Sequence, residues 1–161
     1  RSGAVVDGLP VYRVRQADAR MWGFEAQASL KFAEHGRWSF YADALADLVQ
    51  TGILGSGPAP RIPPLRFMGG LKAKSAHFDA GVEVERVTTQ TRTAAFETAT
   101  PGYTMVNAEL SWRPSGNDSP LSVVLSANNL FDVEARRHAS FLKDYAPLAG
   151  RDIRLTVRVE I

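Results

Sequence analysis

The residues best suited to chemistry lie in one stretch near the end of the chain. His138, Asp144 and Tyr145 bring an imidazole, a carboxylate and a phenol into a short segment. Such groups can contact a metal ion or a metal chelate. A metal site in a protein needs three or four converging donors, and this segment supplies a single histidine. The alternative is that His138 is a solvated loop side chain.

Four cations accompany these residues: Arg136, Arg137, Lys143 and Arg151. Their charge would suit an anionic siderophore or the phosphates of lipopolysaccharide, and lipopolysaccharide contact is the commoner role of such cations. Ser140 lies between His138 and Asp144, but no nucleophile motif surrounds it. We therefore do not expect an enzyme.

Composition indicates that these residues belong to a folded chain rich in turns. Of 161 residues, 45% are hydrophobic and 22% are charged, with 13 Gly and 9 Pro, a balance that excludes disorder. No apolar run reaches the roughly 18 residues of a membrane helix. The formal charge of +2 is small and the cations are scattered, so we expect no nucleic-acid partner. Cysteine is absent, which excludes a disulfide framework.

Alternation of apolar and polar residues predicts seven β-strands. From Trp22 to Phe32 an apolar residue occupies every second position, which is the period of a strand. The same period marks six further ranges: 38–48, 65–74, 78–85, 106–113, 121–127 and 153–161. The fold class is therefore all-β, and each strand has the roughly 8 to 11 residues that a tilted strand needs to cross a bilayer.

Two features favour a membrane barrel over a soluble β-sandwich, which would show the same alternation. Large aromatic residues stand at strand ends: Phe32, Trp38, Phe40, Phe78 and Trp112. The links between strands are alternately short (33–37, 75–77, 114–120) and long (53–64, 90–102, 132–152). Both features are typical of an antiparallel up-and-down transmembrane β-barrel with short periplasmic turns and long extracellular loops.

The polar face of the predicted wall carries charges of both signs, among them Glu25, Asp43, Arg66 and Lys72. Such a face could line a water-filled channel or contact an internal plug. By strand parity, His35 and His77 fall on the rim opposite His138. The three histidines therefore cannot converge, and we expect all three at the surface.

Two motifs near the end of the chain resemble the C-terminal end of TonB-dependent receptors. The first, on the penultimate strand, is Asn128-Asn129-Leu130-Phe131-Asp132, and the second, before the final strand, is Gly150-Arg151. Residues 9–12, 17–20 and 23–25 are similar to another barrel segment of that family. The amino-acid sequence of residues 137–144 is most similar to that of the branch that includes zinc-uptake receptors.

This resemblance implies an outer-membrane transporter of a Gram-negative bacterium. Members have a barrel of about 22 strands with an N-terminal plug, and they import scarce cargo with energy passed on by TonB. Residues 1–161 would then be the C-terminal portion of the barrel, without the plug and the earlier strands. The chain opens at Arg1 with no targeting signal, which agrees with a segment upstream. No cofactor is implied beyond the cargo, a metal ion or a metal chelate such as a siderophore.

The partners implied are outer-membrane lipid and lipopolysaccharide, the TonB system through the plug, and the barrel-assembly machinery through the last strand. Val157, Val159 and Ile161 would carry the assembly signal, although the family usually ends in an aromatic residue. The extracellular substrate-binding loop would contain Arg136, Arg137, His138, Asp144 and Tyr145. The alternatives are a passive porin or structural barrel, and a soluble β-sandwich binding module.

Overall fold

The computed structural model describes residues 4–11 and 16–160, so the predictions for Tyr12 and Ile161 lie outside the described residues. The strands are β1 (Val5–Val6), β2 (Leu9–Pro10), β3 (Ala19–His35), β4 (Trp38–Ile53), β5 (Gly57–Pro58), β6 (Arg66–Lys74), β7 (Phe78–Val87), β8 (Tyr103–Trp112), β9 (Leu121–Asn128) and β10 (Asp152–Val159). A 3-10 helix, Gly116–Asp118, precedes β9. The described part holds no helix of the length and apolarity needed to cross a membrane.

The seven long strands form one antiparallel sheet in the order β10-β9-β8-β7-β6-β4-β3, and β5 pairs with the end of β4. Each long strand therefore lies beside the next long strand in the chain, as in an up-and-down meander. The all-β antiparallel class predicted from the sequence is confirmed. Within the described residues, β3 and β10 are each paired on one side only, so the sheet has two open edges.

Side chains on the two faces of this sheet differ in polarity. On one face, Gln27, Asp43, Lys72, Glu83, Asn107 and Ser126 from six neighbouring strands line a common hollow, and we call this the inner face. The opposite, outward face is apolar and uncovered: Val82 and Leu125 are each 43% exposed and Val157 is 60% exposed. A soluble sandwich would bury these side chains against a second sheet. The sandwich alternative is therefore wrong.

The alternation in β3 is interrupted by a bulge at Phe32. Lys31 pairs with Tyr41 and Ala33 pairs with Phe40, so Phe32 is an extra residue without a partner on β4. Beyond it, Glu34 pairs with Ser39 on the inner face, and the Glu34 carboxylate lies 3.1 Å from Lys31 Nζ. The alternation predicted from Trp22 to Phe32 thus ends where the bulge lies, and the strand continues beyond it to His35.

Short and long links alternate along the chain, as predicted. The first short link was predicted at 33–37, but residues 33–35 continue the ladder of β3 and only Gly36 and Arg37 form the turn. Gly36 has a φ of 59°, which a two-residue hairpin turn commonly requires. The short links lie at one rim of the sheet, and the long loops 54–65, 88–102 and 129–151 lie at the other.

Candidate functional site

The two ends of loop 129–151 are tied together by a buried asparagine. Asn129 is 2% exposed, and its side-chain nitrogen donates to the carbonyl oxygens of Val133 at 2.9 Å and Ala149 at 3.2 Å. Its side-chain oxygen accepts the amide hydrogen of Val133 at 2.8 Å. The Asn129 amide itself donates to Asn107 Oδ1 on β8 at 3.0 Å. One side chain therefore closes the loop, while the adjoining main chain is anchored to the wall.

A second tie joins the two sequence motifs. Asp132 Oδ1 accepts the amide hydrogen of Arg151 at 2.8 Å. A Cβ built on Gly150 would lie 2.8 Å from the same oxygen, so a side chain at this position would require the Asp132 carboxylate to shift. The Asn-Leu-Phe-Asp and Gly-Arg motifs thus act together as the base of one loop.

The first of these motifs was predicted on the penultimate strand, and this placement needs correction. β9 ends at Asn128, and Asn129–Asp132 form a turn beyond it. Asn129 and Asp132 have φ values of 49° and 56°. Asn and Asp adopt this left-handed region more readily than other residues with a side chain. Leu130 still donates its amide hydrogen to Val106 O at 2.9 Å, and Phe131 is exposed.

A buried polar cluster joins loop 129–151 to loop 88–102. His138 is 2% exposed and Lys143 is 6% exposed. His138 Nδ1 lies 2.8 Å from Thr100 Oγ1, within hydrogen-bond distance, and His138 Nε2 lies 3.2 Å from Glu97 Oε1 without hydrogen-bond alignment. Lys143 Nζ donates to the main-chain oxygen of Thr98, to Thr98 Oγ1 at 2.8 Å and to Thr100 Oγ1 at 3.3 Å. The two loops therefore share a polar interior.

Glu97 extends this cluster to the third long loop. Its Oε1 accepts the amide hydrogen of Arg61 at 2.8 Å, and its Oε2 accepts that of Ala94 at 3.0 Å. The guanidinium carbon of Arg61 also lies 3.1 Å from the ring centroid of Phe141, a cation–π contact. Loops 54–65, 88–102 and 129–151 are therefore held together at one carboxylate.

The pKa values of His138 and Glu97 are both lowered, but for different reasons. Burial lowers the pKa of His138, and the nearby Glu97 charge only partly opposes this shift, so the imidazole is neutral at pH 7. Burial by itself would raise the pKa of Glu97. The hydrogen bonds from the Ala94 and Arg61 amides, together with the charge of Lys143 and, in acid where it is protonated, that of His138, outweigh burial and hold the Glu97 pKa below its ordinary value.

The predicted site residues separate into buried and exposed groups. His138 was expected at the surface and Lys143 was expected to meet an external anion; the first expectation is wrong and the second does not fit, because the packing of two loops buries both side chains. Arg136 is half-buried, and its guanidinium donates to Lys143 O at 2.7 Å and to Glu134 Oε1 at 2.9 Å. Arg137, Asp144 and Tyr145 are exposed.

The sequence raised two kinds of site, a metal site and a Ser-His-Asp arrangement. The described residues do not bring the side chains together for either. Among these residues no group of three or more His, Asp or Glu side chains is arranged to hold a metal ion. His138 is engaged with Thr100, and the Ser140 hydroxyl accepts the amide hydrogen of Leu142 at 3.1 Å. His35 and His77 are exposed near the short-link rim.

The sequence did not single out Glu97, Thr98 or Thr100 as site residues. They lie in a Thr-rich stretch without periodicity, and their partners are about forty positions away, for example 38 positions between Thr100 and His138. Glu97 is the single carboxylate of that stretch, whose only other charged residue is Arg92, and this was the one available signal.

Charges on the inner face are paired across strands. Arg66 on β6 contacts Asp47 on β4 at 2.7 Å and Glu85 on β7 at 3.7 Å. Lys72 contacts Asp43 at 2.8 Å. Charges of both signs therefore neutralise each other along this wall, as expected from the sequence.

Aromatic residues bound the apolar band of the outward face. Phe78 pairs with Trp112 at the short-link end, where the Phe32 and Phe40 rings also lie 6.3 Å apart. At the long-loop end, Phe24 pairs with Leu48, ten positions along β4 from Trp38. Ten residues span about 33 Å of strand, or roughly 25 Å of height at the tilt of a barrel strand, which matches the apolar band of outer-membrane barrels.

These features define a class of protein. A single antiparallel meander with an apolar outward face, a charged inner face, aromatic borders and one long-looped rim is part of the wall of an outer-membrane β-barrel. A family model described as "TonB dependent receptor-like, beta-barrel" matches residues 2–130. The chain belongs to this family, and the protein is located in the outer membrane of a Gram-negative bacterium.

A solved structure supports the same fold. The chain is similar to a structure described as "Copper transporter OprC", with a TM-score of 0.76 and 21% sequence identity. The match covers 90% of this chain and 24% of that one. The chain thus spans about a quarter of the length of this structural neighbour.

Proposed function

We propose that the protein is a TonB-dependent outer-membrane transporter that imports a metal ion or a metal chelate. The observation that carries the proposal is the uncovered single-layer wall with its mixed-charge inner face, in a chain that belongs to the TonB-dependent receptor family. The neighbour described as a copper transporter supports a metal-type cargo. The similarity of residues 137–144 to zinc-uptake receptors makes zinc the first cargo to test, and copper and ferric siderophores come next.

The chain described here would form the C-terminal portion of a barrel of about 22 strands. The open edges of β3 and β10 would pair with the remaining strands, and the charged inner face would surround an N-terminal plug that TonB engages. Outward-facing Val157 and Val159 are exposed on β10 and, with Ile161, would be read by the barrel-assembly machinery. That residues 1–161 form the C-terminal portion of a larger barrel with a plug is part of this proposal.

The substrate-binding role proposed for loop 129–151 is best carried by its exposed side chains. Arg137, Asp144 and Tyr145 reach solvent at the long-loop rim, where an incoming chelate would first meet the protein. Arg136 and His138 would act indirectly, since both are engaged inside the loop layer. An anionic chelate could use Arg137, whereas a bare cation would favour Asp144.

Uptake by cells that produce the full-length protein tests the proposal. Cells limited for zinc, copper or iron would be supplied with the labelled metal or ferric siderophore, with TonB intact or deleted. We expect accumulation of one cargo only when the protein and TonB are both present. Equal uptake without TonB would indicate a passive porin, and no uptake of any of these cargoes would contradict the metal assignment.

A further inference from the structure

Two buried apolar residues lie on the inner face of the wall, at the long-loop ends of their strands. Val87 on β7 and Tyr103 on β8 are 8% and 5% exposed, and they pair with each other. Val87 also pairs with Arg66, which pairs in turn with Asp47 on the inner face. Because paired residues share one face of a sheet, Val87 and Tyr103 lie on the inner face as well. We call this pair the seat.

Loop 129–151 packs its own apolar side chains onto the seat. Ala135 is 1% exposed and forms one buried cluster with the seat, and Val133 and Leu148 pack against this cluster. Leu148 also donates its amide hydrogen to the carbonyl oxygen of Ala135 at 2.7 Å. The apolar underside of the loop therefore rests on the inner wall, so the loop projects over the lumen and not over the lipid.

The hollow of the inner face begins where this loop leaves the wall. Asn107 lines the hollow. Its Oδ1 accepts the amide hydrogen of Asn129 at 3.0 Å, and its Nδ2 donates to Glu83 Oε1 at 3.3 Å. Glu83 precedes the seat residue Val87 on β7 by about 13 Å of strand. Loop 129–151 therefore stands above the hollow, joined to one side of it at its base, and we call this loop the shelf.

The shelf is held at its base, at its tip and along its underside. Asn129 and the tie between the two sequence motifs join its ends. His138 and Lys143, both buried, attach its tip to loop 88–102. Movement of the shelf would expose the apolar seat and break the hydrogen bonds of these buried groups, which costs free energy. The contacts therefore favour a static cover over a swinging lid.

We propose that the shelf selects cargo by size, admitting hydrated metal ions and small chelates to the hollow and excluding chelates as bulky as a siderophore. The width of a passage is one of the properties that set its selectivity, and the shelf fills the space in front of the seat. As a statement about cargo, the proposal rests on the transport function proposed above. The exclusion of bulky solutes from the hollow is a property of the shelf itself and requires no transport.

The reactivity of a cysteine in the hollow tests this filter. Ser126 lines the hollow on β9, and Ser126→Cys replaces only its oxygen by sulfur. Cells that produce the full-length protein but lack TonB are treated with a small methanethiosulfonate reagent or with a maleimide on a bulky polyethylene glycol chain. Each rate is divided by the rate at Ala139→Cys, an exposed position of the shelf. We expect the bulky reagent to be slowed at least about tenfold more than the small one, because it must wait for the shelf to open.

Release of the shelf identifies the obstacle. In the Ser126→Cys protein, Ala135→Asp places a charge against the apolar seat and should speed the bulky reagent at least about tenfold. Tyr103→Ser removes most of the seat and should act in the same direction. Ala139→Asp changes an exposed alanine of the same loop, so it is the matched control and should leave the rate unchanged. Rates are compared among variants with native heat-modifiable migration on gels.

Three results would overturn the proposal. In the first, the bulky reagent reaches Ser126→Cys beneath the intact shelf as readily as the small one. In the second, neither Ala135→Asp nor Tyr103→Ser speeds the bulky reagent, so that the obstacle is another part of the protein. In the third, the small reagent is excluded as well, which would show a seal and not a filter. Metal uptake with TonB present is measured separately, so a failure of the transport proposal leaves the labelling result readable.

Discussion

The side-chain amide of Asn129 donates to the carbonyl oxygen of Ala149 at 3.2 Å, joining residues 20 positions apart in the chain. The long extracellular loop between them is therefore closed at its base. Closure of a long loop by a buried polar side chain restricts the conformations that the tip can adopt.

Replacing Asn129 by Ala should free the base of this loop. Three side-chain hydrogen bonds disappear, and at about 1 kcal/mol each the loss is about 2–4 kcal/mol. Hydrogen exchange of the amides of residues 130–150 in the full-length protein would report it as faster opening. Glycine adopts the positive φ without strain, so Asn129→Gly measures the loss of the side-chain hydrogen bonds without added backbone strain. Asn128→Ala, one position earlier on an exposed residue, should change little, and equal effects of the two Ala variants would contradict the clamp.

Replacing Gly150 by Ala should weaken the second tie. The new Cβ would stand 2.8 Å from Asp132 Oδ1, so the carboxylate must move and release the amide of Arg151. We expect a loss of about 1–2 kcal/mol in local stability. Gly69→Ala is the control, since no atom lies within 4 Å of the corresponding Cβ. Protease sensitivity of loop 129–151 that is the same in both variants would argue against the tie.

Acidification should loosen the contact between loops 88–102 and 129–151. The pKa of His138 is lowered in the folded state, so the unfolded loop binds the proton more readily. The contribution of neutral His138 to the stability of the loop contact is fully present above the ordinary histidine pKa of 6.5. It declines as the pH falls below that value. The Glu97 pKa is also lowered, and its contribution is lost only in more acidic solution, below about 4.5.

Hydrogen exchange of the two loops between pH 7.5 and pH 5.5, each corrected for the intrinsic rate, would measure this effect. His138→Gln should remove the dependence on pH, whereas the exposed His35→Gln should retain it. A wild-type opening free energy that stays constant across this interval would contradict the assignment.

A charge at the middle of the outward face should destabilise the barrel. Val82 lies midway along β7 on this face and is 43% exposed. Val82→Arg should cost about 2–4 kcal/mol in a bilayer, whereas Leu121→Arg, at the strand end, should cost about 0–1 kcal/mol. Equilibrium unfolding of the full-length protein from phospholipid vesicles measures both. Equal costs at the two depths would mean that this face does not contact hydrocarbon.

Arg113 should stabilise the short-link rim. Its guanidinium donates to Ser75 O at 3.1 Å, Ala76 O at 3.3 Å and Asp79 Oδ2 at 2.9 Å. Arg113→Ala should therefore destabilise the rim by about 2–4 kcal/mol, since hydrogen bonds to a charged group are lost together. Arg37→Ala, in a neighbouring turn, is the matched control. Thermal unfolding in detergent that shows the same midpoint for both variants would contradict this role.

Local periodicity was sufficient to predict the seven long strands, their faces and the two rims, although not the short strands β1, β2 and β5 or the bulge at Phe32. The spacing of Trp22, Phe24 and Ala26 indicates a strand by itself, because a strand exposes alternate residues to two different surroundings. No other part of the chain is needed for this prediction. The loop layer offers no such period. The burial of His138 depends on Thr100 and Glu97 arriving from another loop, and a histidine in a solvated loop would have the same neighbours in sequence. The position of Asn129 beyond the strand likewise depends on its positive φ rather than on polarity.

The unpaired Phe32 has a consequence for the chemistry of the whole short-link end. An uninterrupted ladder would send Glu34 to the lipid side and turn His35 inward. The extra residue at the bulge shifts the alternation of β3 by one position. Glu34 therefore faces the watery side and contacts Lys31, three positions earlier. Deletion of Phe32 would remove the bulge and let Ala33 follow Lys31 in regular alternation, so Glu34 would stay opposite Ser39 on the watery side and only the ring beside Phe40 would be lost.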